Sequence, residues 1–205
     1  MGIADTSIAA AAALFSGISA FASWKTAQRA HGTAESVAQI ERDRWHTELT
    51  PQFAARIVGQ DGRLEGLDVR FNGPVGLGRL DAVRLTIRND RDRSNDPVLG
   101  AGPTAEQRAE VIFGPFRFRP GTDDADPLGR TLGPFTLDVH DEHRLALDPS
   151  LAPFWYEGAE GAQRWRHDHP DSENLRLWID CEAKGHKPWK LSVEVGWTGN
   201  WVQAG

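Results

Sequence analysis

Leu175-Arg176-Leu177-Trp178-Ile179-Asp180-Cys181-Glu182 carries an aliphatic residue or cysteine at every second position. In an extended strand this period puts those side chains on one face and the intervening residues on the other. The pattern is typical of an antiparallel sheet with one buried face and one face in water. Cys181 shares the apolar register, so we expect a buried, inert thiol and not a nucleophile.

The same alternation recurs after Pro51, between segments rich in Gly, Pro and Asp. Roughly seven to nine short strands with no long helix between them predict an antiparallel Ig-like β-sandwich over residues 51–205. One short helix is predicted over 104–110, with Thr104 as its cap and Gln107 in a capping box. Residues 149–169 are predicted to form a long loop or a short helix that packs over the sandwich. The strand segments are 53–58, 67–72, 83–88, 116–119, 135–140, 143–147, 175–182 and 191–197.

Ahead of this β-rich part, residues 25–50 have a helical spacing of small apolar residues and end at Thr50-Pro51. Proline removes a backbone donor and disfavours helix at the residue before it, so a helical stalk is predicted to stop there. Its apolar stripe is thin and rich in alanine. A solvated spacer is the expected role, and a weak homo-oligomer formed through the N-terminal helix is the alternative.

The N-terminal segment 8–23 contains no charged residue, and Trp24, Lys25 and Arg29 follow it. An apolar run with an interfacial aromatic residue and a basic flank predicts a transmembrane or hydrophobic anchor helix over residues 1–24 in the lipid bilayer. Because basic residues stay on the cytoplasmic side, the C-terminal domain is expected in the cytoplasm, attached to the cell membrane by a single pass. The residues that carry this signal are Leu14, Phe15, Ile18, Phe21 and Trp24.

Three other interpretations of this segment compete. Ala20-Phe21-Ala22 resembles a signal-peptide cleavage site, but the basic region that precedes such a segment is missing. Met1-Gly2 with Thr6 matches a myristoylation pattern, which is not expected in the high-GC bacterium that the composition suggests. The third is an alanine-rich helix that serves as an interface in a soluble assembly.

Composition narrows the function classes. The formal net charge of −6 lacks the basic footprint of a nucleic-acid-binding protein. A single cysteine excludes an internal disulfide framework and suits a reducing compartment. No phosphate-binding loop, nucleophile elbow or other known catalytic spacing occurs, so we expect neither an enzyme nor a cofactor.

Eight tryptophans are many for 205 residues. Their ordinary role is to pack in the core, since each buries a large apolar area. The alternative is a ligand-binding surface, with carbohydrate as the candidate ligand, formed by Trp155, Trp165, Trp178 and Trp189. Trp178 carries most weight because its register places it opposite the core face, although it could instead pack beneath 149–169.

His167 and His169 are the candidate metal ligands. Two histidines two positions apart on a strand project to the same side. No third ligand follows at a known spacing, which favours a solvated loop. The acidic segment 122–126 lacks the glycine and the closing glutamate of a calcium loop, so an acidic surface turn is expected there.

Four short segments resemble uncharacterised actinobacterial proteins that carry an N-terminal hydrophobic segment, a charged helix and a β-rich C-terminal domain. They are Leu49-Thr50-Pro51-Gln52-Phe53, Leu85-Thr86-Ile87-Arg88-Asn89, Phe113-Gly114-Pro115-Phe116-Arg117-Phe118 and Gly185-His186-Lys187-Pro188-Trp189. The resemblance implies this architecture and no activity. Taken together, the sequence predicts a membrane-anchored protein whose cytoplasmic β-sandwich binds another protein, with a carbohydrate-binding module or a soluble assembly component as alternatives.

Overall fold

A computed structural model describes residues 36–60, 63–89, 103–156, 158–168, 174–196 and 199–204. The chain divides into two compact units, with the boundary between Glu48 and Leu49. In the first unit, residues 36–48 form helix α1, inside the predicted stalk. The predicted anchor, 1–24, lies outside the described residues. Among the helices that are described, none has the length and apolar character needed to cross a membrane.

The second unit is mainly β, with antiparallel pairing throughout its sheets, as predicted. Among the described residues of this unit, two short helices interrupt the strands: α2 (Ala105–Glu110) before the fourth strand and α3 (Gly158–Asp168) before the eighth. The strands are β1 (Gln52–Gln60), β2 (Arg63–Gly73), β3 (Arg79–Ile87), β4 (Phe116–Phe118), β5 (Thr131–Asp138), β6 (Glu142–Leu145), β7 (Leu147–Pro149), β8 (Asn174–Glu182), β9 (Trp189–Gly196) and β10 (Val202–Gln203).

These strands form two four-stranded sheets and one two-stranded sheet. The first sheet has the order β10-β1-β2-β6, and the second has the order β5-β3-β8-β9. Among the described strands, β4 and β7 pair only with each other. The alternation at 116–119 predicts a strand of the sandwich. The structure instead places β4 in the two-stranded sheet, where it pairs with β7.

One hydrophobic cluster contains the inward-facing residues of both main sheets. Strand β8 shows the pattern most clearly, because Leu175, Leu177, Ile179 and Cys181 are all buried while the residues between them are partly exposed. On the opposite sheet, Phe53 and Phe71 place their ring centroids 5.6 Å apart. Burying each large side chain contributes roughly 1.5–3 kcal/mol, so this cluster supplies the main driving force for folding.

Helix α2 has the predicted capping box. The Gln107 backbone N–H donates to Thr104 Oγ1 at 3.2 Å, and the Thr104 N–H donates to Gln107 Oε1 at 2.9 Å. For 149–169, the short-helix alternative is correct, since α3 occupies the second half of that segment. Strand β10, which adds to the edge of the first sheet beside β1, was not expected from the sequence.

Candidate functional site

Two long connections leave the main sheets and pack together into what we call the insertion layer: 103–130, between β3 and β5, and 147–168, between β6 and β8. Pairing of β4 with β7 joins the two connections. Ser150 strengthens this joint, because its N–H donates to Pro115 O at 3.0 Å and its hydroxyl donates to Gly114 O. The layer is therefore held by backbone bonds between segments distant in sequence.

Val111, the residue that follows α2, fixes the C-terminal end of the helix through its backbone carbonyl group. Val111 O accepts hydrogen bonds from Arg130 Nη2 at 3.0 Å and from Asn89 Nδ2 at 3.2 Å. The next residue, Ile112, is buried in the hydrophobic cluster. Burial lowers the pKa of Arg130, and the nearby carboxylate of Asp126 opposes that shift. Polar bonds and an apolar anchor together fix the C-terminal end of α2 to the rest of the domain.

The acidic segment 122–126 forms a tight turn, in agreement with the expected surface turn. Asp126 accepts from the backbone N–H groups of Arg130 and Thr131, both at 2.9 Å, and Asp123 accepts from the Ala146 N–H at 3.0 Å. Gly129 is required here, since it has φ +76° and a Cβ would lie 2.1 Å from Phe118 O. These carboxylates therefore stabilise the turn by accepting hydrogen bonds from backbone N–H groups.

An open groove of about 340 Å³ runs along the insertion layer. Three of its large apolar side chains are well exposed: Leu128 at 43%, Leu151 at 64% and Phe154 at 65%. The half-buried Trp155 lies against Phe154, with ring centroids 5.1 Å apart. Exposed apolar side chains gathered in one place mark a binding surface more often than scattered ones do. We therefore take the groove as the candidate functional site.

Arg117, at the centre of β4, also lines this groove. Its Nε is buried and has no hydrogen-bond acceptor among the described residues. Asp148 stands opposite Arg117 across the β4–β7 pair, but that carboxylate pairs with Arg119 Nε at 2.9 Å. The groove thus combines apolar walls with an arginine that forms no ion pair with the described residues.

The four tryptophans proposed as a ligand surface do not lie on one surface. Trp165 and Trp189 are each only 5% exposed. Trp165 packs with Phe113 and Tyr156 at centroid distances of 5.4 and 5.2 Å, beneath the insertion layer's surface. Trp155 lines the groove and Trp178 lies on the second sheet. Burial removes Trp165 and Trp189 from any solvent-facing stacking platform, which corrects that part of the prediction.

Trp178 is half-exposed on the outer face of the second sheet, as its register predicted. Arg88 lies over its ring at 4.3 Å and Lys190 at 5.1 Å. Cation–π contacts of this kind stabilise the position of the ring. A stacking ligand would have to displace one of these two cations.

His167 lies exposed in α3, and His169 is outside the described residues. The same-side geometry assumed for a strand does not apply to His167, because the chain is helical through Asp168. Within the described part of the chain, no group of three or more His, Cys, Asp or Glu side chains could hold a metal ion. Cys181 is buried, and burial together with Asp180 and Glu182 raises the pKa of its thiol to about 12.

The outer face of the first sheet carries a charged cluster that sequence analysis did not identify. Arg56, Asp68 and Arg144 stand directly opposite one another on β1, β2 and β6, and we call them the charged row. Asp68 is completely buried, accepting from Arg144 Nε at 2.7 Å and from Arg56 Nη2 at 2.9 Å. Burial alone would raise the pKa of Asp68, but the hydrogen bonds from Arg144 and Arg56 outweigh it and hold the pKa below its usual value.

Neighbouring residues extend this pairing. Glu142 accepts from Arg70 Nη2 at 2.8 Å and from Arg56 Nη2 at 3.4 Å. The ring of Trp201 lies 4.4 Å from the Arg56 guanidinium and 4.3 Å from that of Arg70. Each charge in the cluster has a partner, so the cluster fits a structural role on the sheet surface.

No protein-family model, no curated protein and no solved structure matches this chain. Function must therefore be inferred from the geometry of the chain itself. One signal for the groove was present in the sequence, since 149–169 is rich in aromatic residues yet irregular. Leu128 and Arg117 had no such signal in the sequence, because both lie in the other connection, 103–130.

Proposed function

We propose that this chain is a single-pass membrane protein whose residues 51–205 form a cytoplasmic Ig-like β-sandwich that binds a partner protein. The observation that carries the proposal is the groove, where Leu128, Leu151 and Phe154 are exposed side by side with Trp155. Protein interfaces centre on large apolar and aromatic side chains together with arginine. Loops held by a rigid β scaffold are a common place for such contacts.

The order of the strands supports an Ig-like sandwich. In the letters used for immunoglobulin-type domains, β1, β2 and β6 correspond to A, B and E, and β5, β3, β8 and β9 correspond to C′, C, F and G. The shared apolar core is consistent with two sheets packed face to face. On this assignment the insertion layer extends the C–C′ and E–F connections.

Support for the membrane anchor comes from sequence alone, through Leu14, Phe15, Ile18, Phe21 and Trp24 followed by basic residues. Cell fractionation tests it directly. The full chain should sediment with membranes and resist extraction by carbonate, and a chain lacking residues 1–24 should not. If the full chain stays in the soluble fraction, the alternative of a soluble assembly with an N-terminal helical interface replaces the anchor.

The partner-binding proposal is tested by photo-crosslinking in the native host. A benzophenone amino acid at Leu151 of the full chain should give a protein adduct of discrete mass, and Phe154→Ser should weaken that adduct. The matched control is the same photo-reactive residue at Val75, which is 91% exposed in the turn after β2 and does not line the groove. Equal adducts from Leu151 and Val75 would refute groove-specific binding.

A carbohydrate-binding module is the second candidate, and the half-exposed Trp178 is what favours it. Aromatic rings on an outer sheet face can stack on sugar rings through their apolar surface. Soluble oligosaccharides should then quench tryptophan fluorescence in the full chain and not in Trp178→Phe. Absence of quenching at millimolar sugar would rule this candidate out.

A further inference from the structure

Arg117 gives the groove a chemical preference as well as a shape. Its Nε–H is buried at the wall of the groove without an acceptor among the residues that are described, and Asp148 on the paired strand is occupied by Arg119. Arg117 as a whole is partly exposed, and its guanidinium forms no ion pair with a carboxylate of the described residues. A carboxylate brought by a ligand would pair with this guanidinium through a charge-assisted hydrogen bond, which is stronger than a neutral one.

The walls around Arg117 set the second requirement. Leu151 and Phe154 form an apolar side with Leu128, so a ligand must bring a large apolar group to gain from being buried there. The volume of about 340 Å³ lies near the lower end of the range for ligand sites. That size suits a few side chains of a short segment.

The charges around the groove favour a protein segment over a lipid surface. Glu110, exposed at the end of α2, lines the same groove as Arg117. Anionic bilayers are recognised by clusters of several basic residues, whereas the lining of this groove offers one arginine and one glutamate. A carboxylate adjacent to an apolar side chain on a peptide matches both the single cation and the apolar wall.

We propose that the groove binds a partner segment in which an Asp or Glu stands next to a large apolar residue, with the acidic side chain bonded to Arg117 and the apolar one packed on Leu151 and Phe154. This inference rests on the protein-binding function proposed above and specifies the chemistry of its partner. Glu110 opposes the incoming carboxylate, so it limits the affinity for acidic segments.

The test is selection of a phage-displayed random 12-residue peptide library on the full chain in a non-ionic detergent. Enriched peptides should carry Asp or Glu beside Leu, Ile, Phe or Trp. The best of them, synthesised with blocked ends, then serves as the probe in binding titrations. Arg117→Gln should weaken its binding on the order of tenfold, as expected for removal of one partner of a partly buried charge pair.

Three further changes, measured in the same binding titration, test the contact between the peptide carboxylate and Arg117. Changing the acidic residue of the peptide to its amide should cost as much as Arg117→Gln, and the two changes together should cost little more than either alone. This arm leaves the fold untouched, so it holds even if Arg117→Gln fails to fold. Arg117→Lys should retain part of the affinity, and Glu110→Gln should raise it about two- to fivefold because a repelling charge is removed.

The outcomes separate this inference from the proposed function. If Phe154→Ser abolishes peptide binding and Arg117→Gln does not, the groove binds peptides without the carboxylate contact, and only the inference fails. If Phe154→Ser binds the probe as tightly as the unchanged chain, or no peptide is enriched, both fail. Crosslinking from Leu151 to phospholipid alone would make lipid the occupant and overturn the peptide proposal.

Discussion

The charged row on the first sheet and the groove in the insertion layer use arginine in opposite ways. Arg56 and Arg144 enclose Asp68, and each of their short contacts is made within the domain. Arg117 lines the groove and forms no ion pair with a carboxylate of the described residues. A carboxylate paired with two arginines holds strands together, whereas an arginine without a carboxylate partner offers its charge to another molecule. The contrast separates a structural cluster from a candidate binding site on one domain.

The largest expected effect on stability comes from Asp68→Asn. The change keeps the size of the side chain but removes the negative charge between two arginines. We expect a loss of about 2–3 kcal/mol in the free energy of unfolding, below the 3–5 kcal/mol of a fully buried pair, because Arg144 is 60% exposed and water screens it. Urea denaturation of the full chain measures this loss.

Asp138→Asn is the matched control for that substitution. Asp138 pairs with Arg79 at 3.4 Å on the surface of the second sheet, where both side chains are about half exposed. The control should change the free energy of unfolding by less than about 0.5 kcal/mol. Equal effects of the two substitutions would show that the charged row is no stronger than an ordinary surface ion pair.

The pH dependence of the free energy of unfolding should reflect the titration of the Asp68 carboxylate. Because the pKa of Asp68 is lower in the folded chain than in the unfolded one, its ionised form stabilises the fold above the ordinary aspartate pKa of about 4. That contribution is lost as the pH falls through the folded pKa. Urea midpoints measured from pH 6 down to pH 3 should fall less steeply in Asp68→Asn, and identical slopes would exclude the effect.

Trp201→Ala should have a smaller effect than Asp68→Asn. The substitution removes the ring that lies against Arg56 and Arg70 and leaves β10 with fewer contacts to the edge of the sheet. Two cation–π contacts of about 0.5–1 kcal/mol each predict a loss of about 1–2 kcal/mol. Trp201→Phe keeps an aromatic ring and should lose less. If both variants lose the same amount in urea denaturation, stacking of the ring is not the cause.

The smallest effect on stability is expected at the groove. Leu151→Ser and Phe154→Ser replace side chains that are mostly exposed, so the free energy of unfolding should stay within about 0.5 kcal/mol. Their consequence should be confined to binding, as in the crosslinking and peptide titrations. A loss above 1 kcal/mol in either variant would mean that the groove wall belongs to the core and would weaken its role as a binding surface.

Much of the sheet architecture was predictable because strand periodicity is a local property. The alternation at 175–182 and 191–197 predicted β8 and β9, and Thr104 with Gln107 predicted the start of α2. Strand β10 was not predictable, because two residues give no period. The small β4–β7 sheet was missed as a separate unit because its pairing joins residues about 30 positions apart in the chain.

The candidate site was predictable only in fragments. Trp155 was named as a ligand residue and does line the groove, but Trp165 in the same segment turns inward to Phe113 and Tyr156. Composition alone cannot separate an aromatic residue that packs inside from one that faces solvent. Arg117 alternates with two phenylalanines in the sequence, as an ordinary outward-facing strand residue would.

The sequence by itself determined which residues of the longer strands face the core, where α1 stops before Pro51, and that the domain is antiparallel and mainly β. These properties depend on side chains a few positions apart, and local period and proline geometry control them. Only the tertiary structure decided that Arg56, Asp68 and Arg144 share a row and that two insertions meet to form a groove around Arg117. Strand register and long-range packing set those contacts, and no short segment of the sequence specifies either of them.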